Sequence, residues 1–332
     1  MVSHSKARII GVGSYLPERV LSNADLETMV DTTDEWITKR TGMKERRIAR
    51  DDEATSDMGA AAAEKALKAA GITADELDLI LVGTMSPDYL SPSTSCIIQN
   101  KIGAKTIPAI DFQSACTGFI YGLSIAKAYI ESGTFRNILL VASEKMSAFT
   151  DYTDRGTCIL FGDGASAAVI SGEGAGLAVD TICLGSDGSL ADLIMIPAGG
   201  SRLPPSKETV DQGSHYIKLQ GKEVFKHAVR RMESAMKECM QKAGKDEQQI
   251  SWLVPHQANL RIIDATAKYI NLAEERVYKT VHKYGNTSAS SVAIALNELL
   301  DEHVIHEGEH LILVAFGAGL TWGSALLTKV ES

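Results

Sequence analysis

The sequence has no long hydrophobic run, no paired cysteines and no excess of basic residues, and each absence excludes a class of protein. No apolar stretch approaches the ~18–20 residues that a membrane span requires. The opening segment, MVSHSKARIIGVGSYLP, has neither an apolar h-region nor a cleavage site, so no signal peptide is expected. Five cysteines (96, 116, 158, 183 and 239) are odd in number, scattered and without CxxC spacing. That pattern argues against a disulfide framework or a zinc site and for a reducing compartment, with the cytoplasm as the default. A formal net charge of −9 argues against non-specific nucleic-acid binding.

What is present is ordinary globular material. A length of 332 residues, with 45% hydrophobic and 23% charged residues, suits a soluble chain of about two domains. The basic residues are nevertheless clustered, with six in the twelve residues from Lys39 to Arg50. Lys222, Lys226 and Arg230 recur every fourth residue, which on a helix makes one positive face. Such runs are either solvated faces or landing sites for an anionic partner, such as a phosphorylated cofactor or an acidic protein.

The most distinctive stretch is Ile107–Gly133, IPAIDFQSACTGFIYGLSIAKAYIESG. IPAIDF fits a strand covered on both faces, and TGFIYGLSIAKAYI fits a helix buried all round. Cys116 stands where strand turns to helix. Unpaired backbone N–H groups and the positive end of the helix dipole are expected to lower its thiol pKa there. A buried structural cysteine is the competing reading.

An internal repeat places this stretch in a larger plan. Ala70-Gly71 matches Ala243-Gly244 at an offset of 173 residues, and at that offset LDLILV (77–82) falls on ISWLVP (250–255). Ile138–Ala142 falls on Leu311–Ala315 in the same register. Short apolar strands alternating with helices imply an α/β fold with a βαβ-type sheet in each half. Two similar halves, 1–173 and 174–332, are expected to pack about a pseudo-twofold axis, with a boundary near GEGAG (172–176). CILFGDGASAAVI reads as two further strand-like runs. The Gly-, Ser- and Pro-rich stretch 184–220 interrupts the repeat and reads as a substrate-covering loop or as flexible surface.

The repeat also gathers polar residues. His256 follows the strand WLVP, at the strand edge where open α/β sheets bind ligands. Asn286 lies in the turn GNTS, three residues before Ala289, the repeat counterpart of Cys116. Cys116, His256 and Asn286 are therefore expected on one edge of the fold as a candidate site. His303, His306 and His310 lack a supporting cysteine or buried carboxylate and read as a solvated loop, so no metal site is expected.

QSACTGFIYGL, GDGASA, VPHQANLRI, GNTSA and FGAGLTWGSAL, with DEWITKRTGMKERRI near the start, resemble the signature segments of the thiolase-like condensing enzymes. Within them the chain is most similar to the 3-oxoacyl-[acyl-carrier-protein] synthase III family. The resemblance implies a thiolase-like fold of two halves layered α-β-α-β-α. It also implies a Cys116–His256–Asn286 site for decarboxylative condensation of acetyl-CoA, or another short acyl-CoA, with malonyl-acyl carrier protein. The implied partners are acyl-CoA and acyl carrier protein, with a homodimer as the assembly.

That chemistry suits the residue types. A cysteine thiolate stores the acyl group, while neutral His256 and the Asn286 amide donate to the enolate oxygen. The Cys116 backbone N–H and one from the turn 316–319, at Ala318, are the expected oxyanion hole, and no metal or redox cofactor is needed. By resemblance, Trp36 and Arg155 stack on the CoA adenine and Arg40 reaches its phosphates. Phe225 and Asn259 line the pantetheine channel, and Arg261 docks the carrier protein. Lys226 and Arg230 extend that patch by inference from their helical spacing. Acetyl-selective members carry Phe before a proline at the end of the primer pocket, contributed by the partner subunit. Ser91-Pro92 stands there in this chain and implies a deeper pocket. A polyketide- or quinolone-type starter enzyme shares Cys–His–Asn, a thioester or papain-like hydrolase is the reading from another enzyme class, and a carrier-binding protein without catalysis would keep the basic patches.

Overall fold

The structure, a computed structural model, describes residues 6–331. Nine strands form its main sheet: β1 Arg8–Tyr15, β2 Leu79–Gly83, β3 Ala109–Phe112, β4 Asn137–Glu144, β5 Gly164–Ser171, β6 Gly176–Ser186, β7 Ile250–Pro255, β8 His310–Gly317 and β9 Thr321–Val330. Their spatial order is β7-β8-β9-β6-β1-β5-β4-β2-β3. The first half contributes β1-β5-β4-β2-β3 and the second β6-β9-β8-β7. In the second half a single parallel bridge from Leu253 to Val277 stands where β3 stands in the first. The halves join through β1 and β6, which pair only at Arg8–Ala178 and Ile9–Leu177. That short seam makes one continuous nine-stranded sheet, a feature the repeat alone does not reveal.

Six longer helices cover the sheet: α1 Thr55–Ala70, α2 Thr94–Lys101, α3 Gly118–Glu131, α4 Gly221–Ala243, α5 Leu260–Tyr269 and α6 Ser291–Glu302. The central core joins α3 and α6 to inward-facing residues of both half-sheets, including Leu81, Leu140, Val254 and Leu313. A second core packs α1 and α2 on the outer face of the first half, and a third packs α4 and α5 on the outer face of the second. The order through the molecule is helix, sheet, helix, sheet, helix, the thiolase-like layering. Strands β2 and β5 are buried at every residue because both faces are covered, so they read as unbroken apolar runs.

The 173-residue register is visible in the elements. Helices α3 and α6 begin 173 residues apart, as do β4 and β8. The register fails after β4, because residues 145–163 separate β4 from β5 whereas only three separate β8 from β9.

Three local expectations change. β3 is the sheet edge, not a strand covered on both faces, and Ile110 is 44% exposed. α3 is not buried all round, since Ala128 reaches the surface near its end. Of the two runs in CILFGDGASAAVI only Gly164–Ser171 is a strand, and residues 158–160 are turn. No helix among the described residues is long and apolar enough to cross a membrane. The three C-terminal histidines are dispersed: His303 packs against Trp252 and Tyr278, and His310 Nδ1 lies 2.7 Å from Thr328 Oγ1.

Candidate active site

One cavity of about 540 Å³ opens at the carboxyl ends of β2, β4, β7 and β8, and Cys116, His256 and Asn286 all line it. The repeat therefore brings together residues from distant parts of the sequence, each by a different local device.

Cys116 sits in the single 3-10 turn Ala115–Thr117 between β3 and α3. Ala115 takes φ +47°, a left-handed conformation that costs a non-glycine residue and aims the next side chain into the cavity. The end of β8 passes directly beneath. A Cβ on Gly317 would stand 2.8 Å from the Cys116 nitrogen and 3.1 Å from its Cβ, so only glycine fits. Ala318, the next residue, also lines the cavity, beside the Cys116 backbone. The thiol does not behave as the helix dipole suggests. Although the residue keeps partial exposure, its sulfur is closely enclosed, and desolvation pushes the thiol up to about 12. The resting site holds a protonated thiol.

His256 continues the sheet beyond β7, its N–H donating to Val314 O at 2.7 Å. Burial drives its pKa down to about 3, so the imidazole is neutral at pH 7. Its Nδ1 lies 2.6 Å from Ser291 Oγ at the start of α6, which leaves Nε2 for the cavity. Gln257 fixes the following backbone: its amide donates to Pro255 O and Tyr278 O and accepts from the N–H groups of Thr280 and Val281.

Asn286 is held by the opposite half. Its N–H donates to Leu160 O at 2.8 Å, and its carbonyl accepts from Gly162 N–H at 3.1 Å. The approach needs Gly162, where a Cβ would meet Tyr284 O at 2.4 Å. Its side-chain Oδ1 accepts from Ser288 N–H at 2.9 Å, so Nδ2 is the donor available to the cavity.

At the mouth, the Trp36 ring is approached by two guanidinium groups, Arg40 and Arg155, each 4.8 Å from its centroid. Arg155 is tied to Asp31 O at 2.9 Å and is not among the lining residues. Phe225 and Asn259 line the channel, and Arg261 stacks over Phe225 at 5.4 Å. The Asn259 side chain is already committed, capping α5 through Arg261 N–H and donating to Arg40 O. Lys226 and Arg230 are exposed on α4 outside the cavity, and Lys226 pairs with Glu223 at 2.8 Å. The inner end is apolar, formed by Met85, Met146, Phe161, Ile194 and Ile217. Ile194 and Ile217 come from the 184–220 stretch, which thus covers the cavity. Ser91 is exposed and absent from the lining of its own chain.

The basic run near the start is not one patch. Arg46 is fully buried and donates to Leu21 O, Asn23 Oδ1 and Ile159 O, which makes it a prop behind the cavity wall. Sequence reasoning missed Ser291, Gln257, Ser288 and Arg46 as supports: Ser291, Arg46 and three bonds of Gln257 reach partners at least 21 residues away, and the short-range bonds of Gln257 and Ser288 leave no motif.

Comparison with known proteins identifies the family. Residues 110–188 match the family model described as 3-oxoacyl-[acyl-carrier-protein (ACP)] synthase III, and residues 240–329 match the model of its C-terminal part. The chain is 58% identical over 327 residues to beta-ketoacyl-[acyl-carrier-protein] synthase III of Chlamydia caviae, covering 98% of each chain. It is 49% identical over 321 residues to the protein of that name from Caldanaerobacter subterraneus subsp. tengcongensis, covering 97% of each. The crystal structure of 3-oxoacyl-[acyl-carrier-protein] synthase III from Aquifex aeolicus superposes with a TM-score of 0.89 at 43% identity, covering 97% of this chain and 99% of that one.

Proposed function

The chain belongs to the 3-oxoacyl-[acyl-carrier-protein] synthase III family, and from that premise we propose that it carries out the initiating condensation of bacterial fatty-acid synthesis with Cys116, His256 and Asn286 as its reacting centre. It is an acyltransferase that joins a short acyl group from CoA to malonyl-acyl carrier protein. The observation that carries this reading is the convergence of a thiol, a neutral imidazole and a free amide donor on one cavity whose mouth holds an arginine-flanked indole.

In the first half-reaction the Cys116 sulfur attacks the thioester carbonyl. The S–H bond breaks, an S–acyl bond forms, and the proton leaves with the departing CoA thiol. Because burial favours the neutral thiol, thiolate forms only as the substrate arrives. The backbone N–H groups of Cys116 and Ala318, both of which line the cavity, hold the carbonyl oxygen as it becomes negative in this reading. In the second half-reaction malonyl thioester loses CO2, and its enolate oxygen is held by His256 Nε2–H and Asn286 Nδ2–H. The Ser291 hydroxyl, 2.6 Å from Nδ1, can donate to it, and the reading takes His256 as the tautomer with Nε2–H. The carbanion attacks the acyl-enzyme carbonyl, a C–C bond forms, and the C–S bond to Cys116 breaks. The thiol then regains a proton from solvent. No metal or redox group enters any step, and activity is expected to survive chelators.

The indole of Trp36 offers a stacking face for adenine, with Arg155 beside it, and Arg40 reaches the phosphates. Phe225 and Asn259 line the pantetheine channel, and Arg261, Lys226 and Arg230 form a basic landing site for an acidic carrier protein. The exposed edge strand β3, with Ile110, and the neighbouring Tyr89 and Leu90 (62% and 92% exposed) support a homodimer. In that dimer Ser91 closes the primer pocket of the other subunit and leaves it deep. A reducing cytoplasmic setting suits five free cysteines.

Intact-mass measurement after mixing with acetyl-CoA tests the reading. A stable acetyl adduct, absent from Cys116→Ala and converted to acetoacetyl-carrier protein on adding malonyl-carrier protein, is expected. CoA release with no condensation product would instead establish a thioester hydrolase.

A further inference from the structure

Glu144 is a charged side chain that the mechanism above leaves unused. It ends β4 with no exposed surface, and its carboxylate accepts only from neutral donors. Thr84 Oγ1 donates to Oε2 at 3.2 Å and Ser86 Oγ to Oε2 at 2.6 Å, while the Met85 N–H divides between Oε2 at 3.1 Å and Oε1 at 3.3 Å. The fourth donor crosses from the other half: Ser288 Oγ donates to Oε1 at 3.1 Å. Burying a carboxylate without a cation is costly, and burial raises this one to about 7. Conformations that break any of these bonds are correspondingly penalised.

The residue it grips is the one that orients Asn286. Ser288 adopts φ +51°, and its N–H supplies the bond to Asn286 Oδ1 that turns Nδ2 toward the cavity. Met85, held by the same carboxylate, lines that cavity. The repeat adds an independent reason to regard Glu144 as a specialised replacement. At the 173-residue offset the counterpart of Ser288 is Ala115, and the counterpart of Glu144 is Gly317. On the cysteine side, glycine leaves room for the Cys116 backbone. On the asparagine side the corresponding position fills with a carboxylate that reaches Ser288.

We infer that Glu144 is a positioning residue for the condensation step: through Ser288 it holds the Asn286 amide in the direction that receives the enolate oxygen. The inference rests on the reading of Asn286 as an enolate donor. A mere packing role for Glu144 would weaken both half-reactions together, whereas a positioning role separates them.

Glu144→Gln keeps the shape but turns one of the two acceptor oxygens into a donor, so Thr84, Met85, Ser86 and Ser288 no longer all find an acceptor oxygen on this side chain as they do on the carboxylate. Acylation by acetyl-CoA, followed by intact mass, is expected to stay within about threefold of wild type. Decarboxylation of malonyl-carrier protein, followed by CO2 release, is expected to fall about ten- to a hundredfold. Ser288→Ala keeps the backbone N–H but also removes a hydroxyl beside the Cys116 thiol; it should still weaken decarboxylation more than acylation, and it serves if the Gln variant folds poorly. The decisive arm is a double-mutant cycle: in an Asn286→Ala background, Glu144→Gln should cost nothing further in decarboxylation. Additive losses, or equal losses in both half-reactions, would overturn the inference. A wild-type enzyme that acylates and condenses while Asn286→Ala decarboxylates normally would overturn the underlying reading of Asn286 and this inference with it.

Discussion

At Ala115 and at Ser288 the backbone makes the same left-handed turn, φ +47° and φ +51°, and each turn opens a one-turn 3-10 helix that runs into a central helix. The two elbows stand 173 residues apart and face each other across the middle of the molecule. Their loads differ. The first presents a thiol over Gly317, where the missing Cβ leaves room for the Cys116 backbone. The second presents no reactive atom of its own: Ser288 lends its N–H to Asn286, Ser291 reaches His256, and Glu144 fills the place of the glycine. One duplicated backbone thus holds a thiol at one elbow and, at the other, the supports of the His256 ring and the Asn286 amide. Storing the acyl group and stabilising an enolate need different atoms at equivalent places.

The comparison can be broken most directly at its donor side. Asn286→Ala should cut condensation by about 10²–10³-fold while acetylation of Cys116 persists, as single-turnover assays of each half-reaction would show. Equal losses in both would mean that the elbows do not divide the labour. On the nucleophile side, Gly317→Ala forces a Cβ to within 2.8 Å of the Cys116 nitrogen. Acylation should fall about tenfold or more, and stability by about 1–3 kcal/mol, read from rapid quench and denaturant midpoints. Ser291→Ala removes the partner of His256 Nδ1, whereas its counterpart in the first elbow, Gly118, only makes room for Ala289. Condensation should drop about tenfold, with little change in acylation.

The smallest effect is a pH dependence of stability. The folded-state pKa of Glu144 is raised to about 7, so the stability it contributes is present below about 4.5 and is lost as pH rises through 7. His256 acts in the opposite sense. Its folded pKa of about 3 means that stability is lost as pH falls below about 6.5. Glu144→Gln removes only the first effect. Its stability relative to wild type should therefore rise between pH 4.5 and 7 and then level off. Parallel curves from denaturation at a series of pH values would contradict the buried charge.

Much of this site was legible in the chain. Cys116, His256 and Asn286 could be placed on one edge because β4 and β8 keep a single register, and apolar strands buried on both faces leave a plain pattern. Other features left no local signal. The apolar run of β3 reads as a buried strand, yet it lies at an edge, because sequence hydrophobicity records that a face is to be covered and not which element covers it. The thiol of Cys116 was read from its helix terminus, and the surrounding protein reversed the direction of its shift. Arg46 looked like one member of a basic patch, and it is a fully buried prop with three acceptors.

The sequence by itself determined the two α/β halves and the gathering of Cys116, His256 and Asn286 at one edge, because periodicity, repeats and turn residues act over short distances or copy themselves along the chain. Tertiary structure alone decided that β1 and β6 join the halves, that burial keeps Cys116 protonated and His256 neutral, and that Glu144 grips Ser288 across 144 positions of sequence. Desolvation and long-range hydrogen bonds depend on every neighbour at once, and no local pattern of residues encodes them.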